Sequence, residues 1–245
     1  MTPLLYLSLD SAFAFQNLYE KGDPSLNSMA LLAEWAGVSG VSLSARESQL
    51  PFFMKTMQRL KEELNIRINA QLTPDLDVLR TAFELQPDRV TLIPPRWVGA
   101  SILGGLDRYH LQDDLRSQIT QLHEADIEVA LQIEPKIDLV KQVQRVGADV
   151  AIFSTHALIS SSRGEARRGQ FSQLMDAAVL ASRLGMKVGV SGGIDLTAGE
   201  QISRIRQVSE FHIGQSLTAR SILRGVDQAT RDFLSTLDKG RQNLI

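Results

Sequence analysis

Two glycine-bearing segments late in the chain, VSGGID (190–195) and HIGQSLTAR (212–220), carry the plainest chemical signal. Glycine lets backbone N–H groups approach a phosphate closely, and a helix beginning near Leu217 would add its partly positive N-terminal end. Gly193 and Gly214 are therefore candidate anion-binding positions, with Arg220 a candidate support. The plain alternatives are tight turns and a helical surface arginine. Asp10, at the end of LLYLSLD (4–10), can act as a general base, an amine partner or an acceptor that orients a ligand. A buried aspartate satisfied by neighbouring backbone explains the same residue. Arg46 and Glu47 read either as an anion clamp with its partner or as a solvated ion pair.

The histidines divide by context. His110 and His123 fall in a helical pattern, and His212 sits inside an apolar run, where a core position is expected. His156 alone follows a strand end, where an imidazole is useful for catalysis. No HxH or His–carboxylate spacing suggests a metal site. The absence of cysteine excludes disulfides, thiolate metal sites and cysteine nucleophiles together. GQSLT is not a nucleophile elbow, because Gln215 stands where the serine is needed.

What must position these residues is a series of short β-rich runs alternating with amphipathic stretches. The strands are expected at 4–10, 40–45, 67–73, 89–94, 127–134, 150–155, 187–193 and 210–216, each apolar enough to be buried on both faces. Helices are expected at 25–38, 49–64, 74–85, 107–125, 135–146, 169–185, 196–207 and 217–238. Pro74 with its acidic neighbours marks one helix start, and Gly185 one helix end. Strand–helix alternation implies parallel pairing. The reading is an α/β fold, a single (β/α)₈ TIM barrel spanning 1–245, with an open doubly wound sheet as the alternative. Function in such a barrel lies at the C-terminal strand ends, and its phosphate sites use the loops after the seventh and eighth strands. The two glycine segments occupy those places. The polar, basic stretch SSSRGEARRG (160–169) is a solvated loop or a lid whose Arg163, Arg167 and Arg168 meet phosphate.

Composition narrows the classes. The chain has 245 residues, 43% hydrophobic, with 26 basic against 28 acidic side chains, so it does not read as a nucleic-acid binder. No apolar run approaches a bilayer span, and the opening MTPLLYLSLD lacks the basic region of a signal peptide. No membrane partner and a cytoplasmic location are expected.

Several blocks, taken in order, resemble the pyridoxine 5'-phosphate synthase family, barrel enzymes of vitamin B6 (pyridoxine) biosynthesis. They are LSLDSAFAFQN (7–17), WAGVSGVSLSARE (35–47), IRINAQLT (66–73), TLIPPRWVGASILGGLD (91–107), VGVSGGID (188–195) and FHIGQSLTARSIL (211–223). The resemblance covers about residues 5–235. It implies a transferase-type condensation of 1-deoxy-D-xylulose 5-phosphate with 3-amino-2-oxopropyl phosphate, without metal or organic cofactor, by a homo-octamer.

By the same resemblance the catalytic positions are Asp10, Ser44, Gln71 and Gly192, and the substrate- and phosphate-binding positions are Ser8, Ser11, Arg46, Gly193, Gly214 and Gln215. The family's histidines fall on Ser44 and near Gly192, its strand 3 glutamate on Gln71 and its strand 6 glutamate near Ile152. The Asn and His flanking Asp10 are Ser8 and Ser11, an arginine pair is reduced to Gln16 and Tyr19, and a further histidine has become Gln215. Asp10, Asn17, Arg46, Asn69, Gly193 and Gly214 are retained.

Serine and glutamine do not titrate near neutral pH, so the acid–base roles are vacant while backbone phosphate capture survives. The expectation is a divergent member that binds a phosphorylated small metabolite, with the family reaction weak or lost: a possible pseudoenzyme. The alternative is an active synthase whose substitute groups come from Asp10, Glu47, Glu134 and His156.

Overall fold

The computed structural model describes residues 2–16, 25–99, 101–162 and 164–243. Eight parallel strands close into a barrel: β1 (Leu4–Ser8), β2 (Gly40–Ser44), β3 (Arg67–Leu72), β4 (Arg89–Leu92), β7 (Glu128–Ile133), β8 (Val150–Ser154), β9 (Lys187–Ser191) and β10 (Glu210–Ile213). Each strand pairs with its sequence neighbour in the barrel, and β1 closes the ring against β10, with Tyr6 opposite His212. Between β4 and β7 a small antiparallel hairpin, β5 (Trp97–Val98) and β6 (Ser101–Ile102), stands apart.

Eight helices form the outer ring: α2 (Leu26–Ala36), α3 (Leu50–Glu63), α4 (Val78–Leu85), α5 (Asp113–Glu124), α6 (Ile137–Val146), α8 (Glu165–Arg183), α9 (Leu196–Ser203) and α11 (Val226–Gln242). Three further helices, α1 (Asp10–Gln16), α7 (His156–Ser160) and α10 (Gln215–Arg224), follow β1, β8 and β10 directly. They sit at the strands' C-terminal ends.

Local chemistry explains where elements begin. α4 starts at Val78 and not at Pro74, because the Asp77 side chain caps it by accepting from the Arg80 N–H at 3.0 Å. The stretch 217–238 is two helices, not one; Gly225, at φ +74°, breaks it. The first strand stops at Ser8, so Asp10 opens a helix instead of ending a strand. Residues 165–169, expected in a loop, form the first turn of α8.

The strands are not apolar on both faces. Their outward residues, among them Leu5, Leu7, Val41, Leu43, Ile68 and Leu131, pack under the helices in the main core. The inward residues are largely polar: Ser42, Asn69, Gln71, Thr91, Gln132 and His212 are all buried. At the N-terminal end of the barrel, Arg89 is fully buried and grips Glu210 through two hydrogen bonds of 2.6 and 2.9 Å. Its Nε reaches Glu128 at 2.7 Å, which Arg67 and Lys187 also contact. Strand alternation alone produces this division, since residues two apart share a face.

Candidate functional site

A cavity of about 390 Å³ opens at the C-terminal mouth of the barrel. Of the residues singled out from sequence, Ser8, Asp10, Ser11, Gln71, Gly192, Gly193, Gly214 and Gln215 all line it. The hairpin contributes Val98, Ser101 and Ile102, and α7 contributes His156, Ile159 and Ser160. Among the described residues no lysine or arginine lines this cavity, and Asp10, His156 and His212 are the titratable groups in its wall.

Ser44 stands just behind, between two cavity residues. Asp10 Oδ1 accepts from the Ser44 N–H at 3.0 Å, and Oδ2 accepts from Ser8 Oγ at 2.8 Å. Ser44 Oγ lies 3.0 Å from Asp10 Oδ2 and 2.7 Å from Gln71 Oε1. One hydroxyl proton cannot serve both acceptors. A neutral Asp10 resolves this by donating to Ser44, which then donates to Gln71. A charged Asp10 requires the Gln71 amide to turn over and donate to Ser44. Burial pushes the Asp10 carboxyl above its usual range, against the pull of Ser8 and Ser44, and so favours the neutral arrangement. Asp10 is the ionisable member of this relay; Ser44 and Gln71 pass hydrogen bonds but do not supply acid or base at neutral pH.

The opposite wall is built from backbone. Gly192 and Gly193 adopt φ of +109° and +74°, conformations open to glycine, and Thr155 Oγ1 ties the loop down by donating to the Gly192 carbonyl at 2.6 Å. Gly214 packs closely on β1: a Cβ there would crowd Ser8, at 3.0 Å from its Cβ and 3.1 Å from its carbonyl oxygen. Immediately after it α10 begins, so the free N–H groups of its first turn face the cavity side lined by Gln215 and Ser216. Six serines, Ser8, Ser11, Ser101, Ser160, Ser191 and Ser216, add hydroxyls. This wall suits an anion held by hydrogen-bond donors.

Other candidates are employed elsewhere. Arg46 lies 4.1 Å from the Trp97 ring centroid and donates to the Gly99 carbonyl at 2.8 Å, so it holds the hairpin and is not part of the lining. It makes no ion pair with Glu47, which starts an exposed 3₁₀ turn. Arg220 pairs with Asp232 of α11 at 2.7 Å. Asp195 caps α9 by accepting from the Ala198 N–H at 2.7 Å. Glu134 lies under the GGLD segment, close to Gly104, outside the lining; burial raises its pKa. Arg167 and Arg168 line a different cavity, and no lid over the mouth forms from them. Asn17, Tyr19 and Arg163 fall outside the described residues. Among the described residues no three His, Asp or Glu side chains gather where a metal ion could be held.

Two contributors were not legible as site residues. His212, expected in the core, is buried and stacked on Tyr6 at 4.8 Å, yet it also lines the cavity floor; burial pushes its pKa down. Its position two residues before Gly214 on one strand was the available signal. The hairpin had only Gly99, at φ +58°, as a turn signal.

Comparison with known proteins bears on the family and the fold. A pyridoxine 5'-phosphate synthase from Desulforapulum autotrophicum is 28% identical over 87% of this chain and 90% of its own length. One from Idiomarina loihiensis is 27% identical over 97% and 98%. Among solved structures, 3-keto-L-gulonate-6-phosphate decarboxylase from Vibrio cholerae superposes with a TM-score of 0.66 at 16% identity, covering 98% of this chain and 99% of that one. Phosphoribosyl anthranilate isomerase from Thermus thermophilus superposes with a TM-score of 0.56 at 13% identity, over 97% and 100%. These structural likenesses speak to the barrel fold alone. The model of the pyridoxal phosphate biosynthesis protein PdxJ matches residues 5–239, nearly the whole length, and the chain belongs to the PdxJ family.

Proposed function

We propose that this PdxJ-family barrel binds a small phosphorylated metabolite at its mouth and that the family's condensation is weak or lost in it. One observation carries the reading. A single cavity gathers Gly192, Gly193, Gly214 and the start of α10, while positions 44, 71 and 192 hold Ser, Gln and Gly. Phosphate capture by backbone N–H groups does not depend on the replaced side chains. A positioned acid or base contributes about 10²- to 10⁴-fold, and these positions offer none. The reading also takes the protein as a homo-oligomer, the octamer by family analogy, for which exposed Ile222 and Leu223 on α10 offer apolar surface.

Bulky residues at Gly193 or Gly214 would strain the fold, because of the positive φ of the first and the Ser8 contact of the second. Ser216→Glu is the cleaner test. Its charge stabilises the first turn of α10 but repels a phosphate there. Titration calorimetry with glycerol phosphate should show affinity reduced by at least about tenfold, roughly 1.4 kcal/mol, with Tm unchanged or raised. Unchanged affinity would remove the phosphate from this wall.

The second reading, an active synthase, is favoured by Asp10 and His156 lining one cavity, with burial pushing the Asp10 carboxyl above its ordinary value. In that case Asp10→Asn and His156→Ala should each lower turnover by about tenfold or more. Turnover that survives both would exclude them from the chemistry.

A further inference from the structure

A second cavity, of about 520 Å³, lies on the outer ring between α7, the first turns of α8 and the end of α9. We propose that it is a binding site for a small organic phosphate monoester with an apolar or aromatic body, separate from the barrel mouth. Its lining joins three guanidinium groups, Arg167, Arg168 and Arg204, to an apolar floor of Leu158, Phe171 and Met175, and among the described residues it includes no carboxylate. On α8, Arg167, Phe171 and Met175 follow one another at four-residue spacing, so one face presents charge at its start and apolar surface beyond. This concentration of cations occurs on a chain whose net charge is -2.

The arginines are only partly engaged. Arg167 meets neutral acceptors, the Leu158 carbonyl and Gln201 Oε1, both at 3.4 Å. Arg168 has no partner among the described residues. Arg204 pairs with Glu200 at 3.4 Å, and its buried Nε has no partner. Guanidinium forks match phosphate oxygens in pairs, and among the described residues only Arg204 of the three is paired with a carboxylate. The volume is that of a small-molecule pocket, and the apolar floor would take the ester's organic half. Among the described residues the mouth cavity offers backbone and hydroxyl donors without arginine; this one has arginine beside an apolar shelf. The two share a wall, since Leu158 faces one while His156, Ile159 and Ser160 line the other.

Phenyl phosphate is the probe, titrated into the full chain carrying methyl-labelled methionine. Met175 is one of six methionines, and Met175→Leu assigns its NMR signal. The signal should shift with saturation in the wild type and equally in Ser216→Glu, which disables the mouth site alone. Arg167→Gln with Arg168→Gln should weaken that saturation by about tenfold or more with Tm unchanged. Inorganic phosphate should bind this site more weakly than phenyl phosphate. A Met175 signal that stays still at millimolar probe overturns the site, as does one that saturates unchanged in the double variant. Equal affinity for inorganic phosphate overturns the ligand class. If Ser216→Glu leaves total phosphate binding untouched while Met175 still shifts, the mouth reading fails and this one stands.

Discussion

Asp10 is where the fold and the site make opposing demands. The residue is only 7% exposed, and its carboxyl accepts from Ser8 and Ser44 and is pushed up by burial. A raised folded-state pKa means that the fold prefers the neutral acid. The stability it contributes is fully present below the ordinary carboxylate value of about 3.9 and is lost as pH rises through the folded value. Asp10→Asn keeps an oxygen for the Ser44 N–H and supplies N–H protons to the Ser44 relay. It should raise Tm at pH 7 by about 2–4 °C, the shift that roughly 1 kcal/mol gives a domain of this size. Thermal melts from pH 4 to 8 check this: the advantage should shrink towards acid, and a constant gap or a lower Tm contradicts the assignment. Asp10, Gly193 and Gly214 were legible as cavity-lining residues because each falls just past the end of an apolar run. The use of Arg46 was not, because its partners Trp97 and Gly99 lie about fifty positions away, on a hairpin whose strands are too short to show a period.

At the scale of elements, the barrel's inner face sets the stability profile. β4, β7 and β10 are tied through Arg89, Glu128 and Glu210 where an apolar interior was expected. The alternation in EVALQI and EFHI shows this face, once every second residue is read separately. Burial pushes Glu210 up, but His212 and the paired Arg89 overcome it and hold the carboxyl well below the usual range; Glu128 is likewise lowered, by Lys187, Arg89 and Arg67. Depressed carboxylates stabilise above their unfolded value, about 4.3, and that stability is lost as pH falls below it. Glu210→Gln leaves Arg89 buried beside a neutral amide, so it should cost about 3–5 kcal/mol at pH 7. Urea denaturation at pH 7 and pH 4 should show the variant losing less than the wild type between the two. Equal losses would show that the pair does not govern acid stability.

For the whole molecule, eight strand–helix repeats were readable because each buried strand is short and apolar outward and each helix carries a stripe. The extra helices α1, α7 and α10 were hidden. They follow their strands with almost no break, so their residues read as strand ends or as parts of longer helices. Those three helices, with the hairpin, convert a general barrel into this site: α1 carries Asp10, α7 carries His156, and α10 brings its N-terminal end to the cavity. Whether the barrel still performs its family's condensation is decided by an overnight incubation of the protein with 1-deoxy-D-xylulose 5-phosphate and 3-amino-2-oxopropyl phosphate, with Asp10→Ala as control and mass spectrometry for pyridoxine 5'-phosphate. No product above the control is expected, alongside phosphate-ester binding at the barrel mouth that Ser216→Glu weakens. Product well above the control would contradict it and mean that the acid–base set has been rebuilt from other side chains.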